Sequence, residues 1–305
     1  MTKPDIVVIG TYPDRDLASL AQHFTLHIDT APDPAAIRAI AFKGHAGMSA
    51  QVMDAHPNLR LIANYGVGYD AIDVAAAVAR GIAITNTPDV LTDDVADLAV
   101  GMLIAVARHI VPADAWVRTG AWAAQGDYPL LHKVSGARAG IVGLGRIGRA
   151  IADRLAAFDM TISYTSRAPK ETPGWTHFTD PAQMAAQVDY LIVALSGGPD
   201  TAGIVDARTL AALGPQGTLI NISRGTTIDE EALITALQSR NIRAAALDVF
   251  LSEPDPDPRF LELDNVLLQP HQASATVETR TAMADLQRDN LLAFFAGTPL
   301  LTQVA

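Results

Sequence analysis

The stretch Ala139-Gly140-Ile141-Val142-Gly143-Leu144-Gly145-Arg146-Ile147-Gly148 decides the fold of this chain. Its apolar first half predicts a buried β-strand, and a helix over residues 146–158 is predicted to follow the glycines. In such a turn the first glycine permits the sharp bend, the second lets a pyrophosphate approach the backbone, and the third allows close helix–strand packing. The free amides at the helix start face the phosphates. The stretch therefore predicts a dinucleotide-binding unit, and a tight turn without a ligand is the alternative.

Outward from this turn, short apolar runs alternate with alanine-rich segments along the whole chain, which favours parallel α/β sheets. Strands are predicted at residues 6–9, 25–28, 46–48, 61–64, 82–85, 139–143, 161–165, 190–194, 218–222, 244–248 and 266–268. Helices are predicted at residues 33–42, 74–80, 91–118 and 277–296. We expect the last two to cross between two doubly wound domains, so that a Rossmann cofactor domain (99–282) is inserted in a flavodoxin-like substrate domain (1–98 and 283–305).

Composition and charge exclude several classes of protein. The 305 residues are 49% hydrophobic and 18% charged, which is a globular balance. The net charge of -11 argues against a nucleic-acid partner, and it requires local positive groups to capture an anionic substrate. Without cysteine there is no disulfide, thiolate nucleophile or Cys-based zinc site, and the histidines form no metal-like set, so no metal is predicted.

The N-terminus and the most apolar segment predict a cytoplasmic protein that does not contact a membrane. Residues 1–10 run directly into a strand pattern and lack the features of a secretory signal. Residues 98–107 are apolar but too few to span a bilayer.

The strand after the glycine turn bears on the choice of cofactor. NAD-binding units place Asp or Glu at the end of this strand to hold the ribose hydroxyls. Here the strand is followed by Ser166 and Arg167, and Asp159 comes before the strand. A hydroxyl and a guanidinium suit a 2′-phosphate. We therefore expect NADP (NADPH) to be preferred over NAD, with a solvated loop cation as the alternative for Arg167.

Three later segments place isolated polar residues after predicted strands. Arg224 follows the strand at 218–222, Glu253 follows that at 244–248, and His271 follows that at 266–268. Ligands of open α/β sheets bind beyond the carboxyl ends of the strands, so we expect these side chains to converge. Taken singly, each has a plainer explanation, as a salt-bridge arginine, a solvated glutamate and a turn histidine.

With these segments in order, the chain resembles the D-isomer-specific 2-hydroxyacid dehydrogenase family over essentially its whole length. It is most similar to the branch of glyoxylate/hydroxypyruvate reductases and hydroxyphenylpyruvate reductases. The stretches that point to this branch are Asn64-Tyr65-Gly66-Val67-Gly68-Tyr69-Asp70, Thr165-Ser166-Arg167 and Ser274-Ala275-Thr276-Val277-Glu278-Thr279-Arg280. The resemblance implies an oxidoreductase that reduces small 2-oxo acids, such as glyoxylate or hydroxypyruvate, to D-2-hydroxy acids with NADPH.

The resemblance assigns the chemistry to named side chains. Hydride transfer leaves negative charge on the carbonyl oxygen, and His271 would supply the proton, as imidazole can near neutral pH. Glu253 would hold His271 and favour its protonated form. Arg224 would bind the substrate carboxylate and polarise the carbonyl. The amides at Val67 and Gly68 would bind the carboxylate as a backbone anion nest.

The resemblance also extends the cofactor site and implies a partner subunit. The expected cofactor contacts are Gly143, Leu144, Gly145, Arg146, Ile147, Gly148, Ser166, Arg167, Leu195, Thr201, Ile222, Asp248 and Thr92. Asp248 has an equally plausible structural role at a strand end. A homodimer is expected through the interdomain helix and an arm from Trp116 to Tyr128, with Trp122 approaching the neighbour's active site.

Departures from the family pattern and rival functions leave some points open. Residues 196–201 stand where many relatives have a proline-containing segment, and Gln272 stands where an apolar residue is commoner. A formate dehydrogenase would carry Gln at position 253, so Glu253 argues against that function. Hydroxyphenylpyruvate reduction is one alternative. A cofactor-sensing corepressor-like binding protein on the same fold is another, since such proteins can retain Arg224, Glu253 and His271.

Overall fold

The computed structural model describes residues 3–44 and 47–305, in which strands and helices alternate as predicted. The strands are β1 (Asp5–Ile9), β2 (Thr25–Ile28), β3 (Ala39–Phe42), β4 (Leu61–Asn64), β5 (Ala83–Thr85), β6 (Arg138–Val142), β7 (Thr161–Thr165), β8 (Thr176–Phe178), β9 (Tyr190–Val193), β10 (Thr218–Asn221), β11 (Ala244–Leu247) and β12 (Val266–Leu268). The α-helices are α1 (Asp14–Ala21), α2 (Ala50–Asp54), α3 (Val74–Ala79), α4 (Thr92–Ala107), α5 (Ile110–Arg118), α6 (Ala121–Gln125), α7 (Arg146–Ala156), α8 (Pro181–Ala185), α9 (Ala207–Leu213), α10 (Glu230–Gln238) and α11 (Val277–Ala296).

These elements divide into two compact units, of which the first comprises Met1–Leu91 and Ser274–Ala305. Over its described residues, unit 1 contains a five-stranded parallel sheet in the order β2-β1-β3-β4-β5, the flavodoxin-like order. Every residue of β3 and β4 is buried, because helices cover a parallel sheet on both faces. α11 packs against β3 and β4 and is capped by Gly297, which has a left-handed backbone (φ 69°).

Unit 2 comprises Thr92–Ala273 and contains the glycine turn. Its seven-stranded sheet has the order β12-β11-β10-β9-β6-β7-β8, and every pairing is parallel. Read from β8, this is the Rossmann order with one strand added beyond the sixth. The strand that leads into the glycine turn therefore lies at the position where the strand order reverses. The predicted pair of doubly wound sheets is confirmed.

The segment between residues 33 and 48 is where the element prediction was wrong. In place of a helix over 33–42, a short 3-10 helix at Pro34–Ala36 precedes the central strand β3. The predicted strand at 46–48 is not formed at Met48, which makes only an isolated bridge to Ile72, and Ala46 lies outside the described residues. A strand buried on both faces shows no polar alternation, so its short apolar run also satisfies a helical period.

The predicted helix over 91–118 is also wrong, because the chain forms two helices there. α4 ends at Ala107, and α5 begins at Ile110 after His109, whose backbone is left-handed (φ 46°). Pro112 explains the break, since a proline ring clashes with the carbonyl four residues earlier and is tolerated only in the first turn of a helix. Among the described residues no single helix is long and apolar enough to cross a membrane; α4 and α5 meet that test only as a pair, which is bent by 56°.

Both long helices pack within one unit, which moves the unit boundaries. α4 packs against α7 and against β10, β11 and β12, all in unit 2, whereas α11 packs against α1, β3 and β4 in unit 1. The boundaries therefore fall at 91/92 and 273/274, before these helices. The predicted boundaries lay inside the helices, at 98/99 and 282/283. A further strand, the three-residue edge strand β8, was not predicted.

Candidate active site

The glycine turn joins β6 to α7, and the structure explains two of its glycines by contacts within the protein. Gly143 has a positive φ of 98°, and a Cβ there would lie 2.6 Å from Cβ of Leu195. A Cβ on Gly148 would lie 2.1 Å from the Gly143 carbonyl oxygen. The amides of Gly143 and Leu144 donate to the Thr165 carbonyl, at 3.2 and 3.3 Å. These contacts set the bend and hold α7 close to the sheet.

Gly145 needs a different explanation. Its backbone is extended (φ -81°, ψ -162°), which any residue can adopt, and a Cβ there would meet no protein atom within 4 Å. It is the N-cap of α7, exposed, and followed by the exposed Arg146. Open space above a helix N-terminus is what a dinucleotide's pyrophosphate requires. The turn therefore fits the cofactor that the sequence predicts, and Leu144 and Ile147 lie in the same turn, buried and half-buried.

The loop after β7 carries the residues expected at the cofactor's ribose. Arg167 is exposed and Ser166 is half-buried. The Ser166 hydroxyl donates to the Ala168 carbonyl at 2.6 Å, so its single proton is used inside the loop. Lys170, which was not predicted as a site residue, donates from Nζ to the Leu144 carbonyl of the glycine turn at 2.6 Å. The sequence signal that could have identified Lys170 is its position four residues after Ser166, in the same loop.

The other expected cofactor contacts lie on three further elements of unit 2. Leu195 follows β9 and lies against the turn, as the Gly143 geometry shows. Thr201 closes the 196–201 segment by donating to the carbonyls of Ser196 (2.8 Å) and Gly198 (3.2 Å). Ile222 is buried after β10, and Thr92 is the first residue of α4. The cofactor roles of these residues stay predictions.

His271 and Glu253, which are distant in sequence, form a direct pair. His271 Nδ1 lies 2.7 Å from Glu253 Oε2, with 31% and 17% of the two side chains exposed. Because a carboxylate only accepts, Nδ1 carries the proton in this bond. Glu253 Oε1 accepts the Phe250 amide at 2.9 Å, which holds the carboxylate in place. The pair combines a ring of fixed orientation with a partial opening to solvent, as proton transfer requires.

Asp248 holds the backbone that carries His271. Its fully buried carboxylate accepts the amides of Gln272 (2.8 Å) and Ala273 (3.0 Å), and its carbonyl accepts the His271 amide (2.8 Å). Burial raises the pKa of Asp248 above its usual value, while the two amide hydrogen bonds oppose that shift. The structure thus shows the structural contact that the sequence left open, and a nicotinamide contact stays a prediction. The side chain of Gln272 bonds to that of Gln269 in the same loop.

Arg224 lies on a loop that is packed tightly beside the Glu253 segment. A Cβ on Gly225 would lie 2.0 Å from the Phe250 carbonyl carbon, so only glycine fits next to Arg224. The Arg224 carbonyl accepts from Asn221 Nδ2 (3.1 Å) and from the Thr227 hydroxyl (2.6 Å). Arg224 Nη1 donates to the Ser223 carbonyl at 2.7 Å. The loop after β10 therefore lies against the segment after β11, which brings two of the three predicted catalytic segments together.

In unit 1, the predicted anion nest is held by two buried asparagines. Asn64 Nδ2 donates to the carbonyls of Gly66 (3.1 Å) and Gly68 (2.9 Å), and Asn86 Nδ2 donates to that of Val67 (3.0 Å). A loop whose carbonyl oxygens are engaged in this way can present its amides to an anion. The roles of the two asparagines were not predicted, although one of them stands in the stretch that carries the family resemblance.

The arm from Trp116 to Tyr128 forms a small aromatic cluster of its own. The rings of Trp116 and Tyr128 meet edge to face at 5.5 Å, and His109 lies beside Tyr128. Trp122 on α6 is 58% exposed. In the part of the chain that the structure describes, no group of three or more His, Asp or Glu side chains is placed to hold a metal ion.

Comparisons with known proteins bear on the family of this chain. A family model described as D-isomer specific 2-hydroxyacid dehydrogenase, NAD binding domain, matches residues 100–273. Hydroxyphenylpyruvate reductase from Plectranthus scutellarioides is 47% identical over 88% of this chain and 85% of that protein. 2-Ketogluconate reductase from Gluconobacter oxydans (strain 621H) is 46% identical over 99% of each chain.

A solved structure extends the match to the fold. The NADPH-dependent glyoxylate/hydroxypyruvate reductase from Sinorhizobium meliloti, in complex with NADP and malonate, has a TM-score of 0.95 to this chain and 45% identity, covering 100% of this chain and 97% of that one. The matched family domain spans the glycine turn and the Arg224, Glu253 and His271 segments. The chain belongs to the D-isomer specific 2-hydroxyacid dehydrogenase family and is an NAD(P)-dependent oxidoreductase.

Proposed function

We propose that this protein reduces small 2-oxo acids to D-2-hydroxy acids with NADPH as the hydride donor. The observation that carries the proposal is the 2.7 Å contact between His271 Nδ1 and Glu253 Oε2. A half-buried carboxylate that fixes one ring nitrogen of a histidine leaves proton transfer to the other nitrogen, which is the acid that carbonyl reduction needs.

The residues divide the reaction between them. When bound, the reduced nicotinamide would supply a hydride to the carbonyl carbon, so that the carbonyl π electrons would move to the oxygen. His271 donates its Nε2 proton to that oxygen and regains a proton from solvent. Glu253 holds the imidazole ring through Nδ1, and Asp248 keeps the His271 segment in place through hydrogen bonds from two backbone amides.

Substrate binding falls to positive and amide groups, because the chain as a whole is acidic. Arg224 binds the carboxylate and polarises the carbonyl with its planar guanidinium. The amides at Val67 and Gly68 bind the carboxylate in the nest that Asn64 and Asn86 hold. A small 2-oxo acid such as glyoxylate or hydroxypyruvate meets these requirements, and relatives named glyoxylate/hydroxypyruvate reductases support it.

The preference for NADPH over NADH is part of the proposal. The strand β7 ends without an acid and is followed by exposed Arg167, which suits a 2′-phosphate. The NADPH-dependent relative with bound NADP supports the same choice. A 2′-phosphate carries between one and two negative charges near neutral pH, so Arg167 gains a charge-assisted hydrogen bond only from the phosphorylated cofactor.

Oxidation of NADPH in the presence of glyoxylate, hydroxypyruvate, hydroxyphenylpyruvate or 2-ketogluconate tests the proposal directly. We expect turnover with the smaller acids, and we expect His271→Ala to lower kcat by about 10²–10⁴-fold because the proton donor is lost. His23→Ala is the matched control, since it removes an exposed imidazole that follows α1 in unit 1 and has no role assigned in the site. Tight NADPH binding without turnover of any 2-oxo acid would instead support the corepressor-like function.

A further inference from the structure

Hydrogen bonds to the sheet hold the loop at residues 165–170 in a defined conformation. The buried Tyr164 closes it, because its hydroxyl accepts the Lys170 amide at 2.8 Å and lies 3.2 Å from the Lys170 carbonyl. His177 on the edge strand β8 lies with Nε2 3.0 Å from the Ser166 carbonyl, and a carbonyl only accepts, so Nε2 is the donor. Both ends of the loop are therefore fixed to the sheet before any ligand is present.

Lys170 links this loop to the glycine turn. Its Nζ donates to the Leu144 carbonyl at 2.6 Å, and the Leu144 amide in turn donates to the Thr165 carbonyl at 3.3 Å. The ammonium thus lies between the turn that receives the pyrophosphate and the loop that receives the ribose. An ammonium has three N–H donors, so one bond to a carbonyl leaves capacity for an anion.

The groups that neighbour Lys170 offer few free hydrogen-bond donors for a 2′-phosphate. The Ser166 hydroxyl already donates its proton to the Ala168 carbonyl. Arg149 is paired with Asp153 at 3.0 Å and lies over the Trp175 ring at 4.9 Å. Arg167 alone would face a group that carries between one and two negative charges, in a chain whose net charge is -11.

We propose that Lys170 is a specificity-determining residue that binds the 2′-phosphate of NADPH together with Arg167. Its bond to Leu144 sets the distance between that phosphate and the pyrophosphate in the glycine turn, so the two phosphate sites are held in register. The inference rests on the proposed preference for NADPH. It adds a residue to that preference and assigns the Ser166 hydroxyl a role inside the loop.

Lys170→Met tests the proposal, because methionine keeps the unbranched stem and removes the charge. Lys133→Met is the matched control, since Lys133 is exposed and precedes β6 at the amino edge of the sheet. Lys170→Arg tests rescue of the charge. For each variant, the dissociation constants of NADPH and NADH are measured by calorimetry over a series of salt concentrations, with 2′,5′-ADP and 5′-AMP as probes of the adenosine half alone.

We expect Lys170→Met to raise the dissociation constants of NADPH and 2′,5′-ADP by roughly ten- to hundredfold, which is the range that the loss of a charge-assisted hydrogen bond produces. NADH and 5′-AMP should change by less than about threefold, and Lys170→Arg should recover most of the loss. The salt dependence of NADPH binding should become shallower in Lys170→Met, because one screened ion pair is gone.

Two results would overturn the role of Lys170. If Lys170→Met weakened NADPH and NADH binding equally, Lys170 would only connect the loop to the turn and would not determine specificity. If neither dissociation constant changed, Lys170 would have no part in the cofactor site. Failure of the underlying preference looks different: the unmodified protein would then bind NADH as tightly as NADPH. If Arg167→Ala strongly weakened NADPH binding and Lys170→Met did not, the proposed preference for NADPH over NADH would stand. Only the role assigned to Lys170 would then be refuted.

Discussion

At the scale of single residues, the three glycines of the turn are required for different reasons. Gly143 and Gly148 are required by the protein, because a Cβ would lie 2.6 Å from Leu195 in one case and 2.1 Å from the Gly143 carbonyl in the other. No contact within the described structure requires glycine at position 145, since a Cβ there would meet no protein atom within 4 Å. We therefore propose that the close approach of a pyrophosphate accounts for glycine at this position.

The pair Gly145→Ala and Gly148→Ala separates these reasons. We expect Gly145→Ala to change the free energy of unfolding by less than about 1 kcal/mol, because its backbone suits alanine, and to weaken NADPH binding by about tenfold or more. Gly148→Ala should lower the free energy of unfolding by about 1–3 kcal/mol, because the added methyl overpacks the turn. Denaturant unfolding and cofactor titration measure both. Unchanged NADPH affinity in Gly145→Ala would place the pyrophosphate elsewhere.

At the scale of elements, the predicted catalytic residues all lie directly after strands of unit 2. Arg224 comes after β10, Glu253 after β11 and His271 after β12, and these strands are neighbours in the sheet. Parallel pairing places all three carboxyl ends at one edge. Asp248, the first residue after β11, accepts hydrogen bonds from the backbone after β12 and so joins the second segment to the third.

Asp248→Asn tests this connection through two readouts. In asparagine one of the two oxygens that accept a backbone N–H is replaced by an NH₂ donor, so we expect the His271 segment to shift and kcat to fall by about tenfold or more. The unsatisfied buried donor should also lower the free energy of unfolding by about 1–3 kcal/mol near pH 4. Asp159→Asn, at an exposed position after α7, is the control.

The pH dependence of this variant has a definite sign. Burial raises the pKa of Asp248, so the folded protein keeps a proton there at a pH where the unfolded chain has lost it. The contribution of Asp248 to the free energy of unfolding is therefore fully present below about pH 3.8 and is lost as pH rises through the raised pKa. The stability deficit of Asp248→Asn should shrink over that same interval. A deficit that grows with pH would show that the amide hydrogen bonds, and not burial, dominate the pKa.

At the scale of the whole molecule, we propose a homodimer that uses α4 and the arm from Trp116 to Tyr128. The arm and the residues on either side of it present large apolar side chains that the described chain leaves open to solvent: Ile110, Val111, Val117, Trp122 and Leu130 are each at least half exposed. Trp116 and Tyr128 pack on each other inside the arm, so they give it a shape of its own. A second copy of the chain would cover this surface.

Trp122→Ser should weaken that dimer. A tryptophan at the centre of an interface contributes about 2 kcal/mol or more, which corresponds to roughly a thirtyfold higher dissociation constant. Leu261→Ser, which changes a similarly exposed apolar residue outside the arm, is the control. Sedimentation equilibrium over a concentration series measures both. A monomeric unmodified protein, or equal effects of the two substitutions, would refute this interface.

Local signals in the sequence were enough to predict the fold class and most strand positions, while the chemistry of the site stays a prediction. Hydrophobic periodicity, glycine at a sharp turn and polar residues after strands each depend on near neighbours in the chain, so β2, β4, β7, β12 and α11 were predicted with the bounds that the structure has. The choice of Arg224, Glu253 and His271 also needed only their place after strands, together with the resemblance to a known family.

Features that depend on partners distant in the chain emerged only from the tertiary structure. The central strand β3 was mistaken for a helix, because its short apolar run is ambiguous until the sheet and its covering helices bury both faces. The glycine turn shows the same division at its own scale. Its pattern predicted a dinucleotide, but the contact of Lys170 with Leu144 and the open space over Gly145 exist only once β6 and β7 are paired.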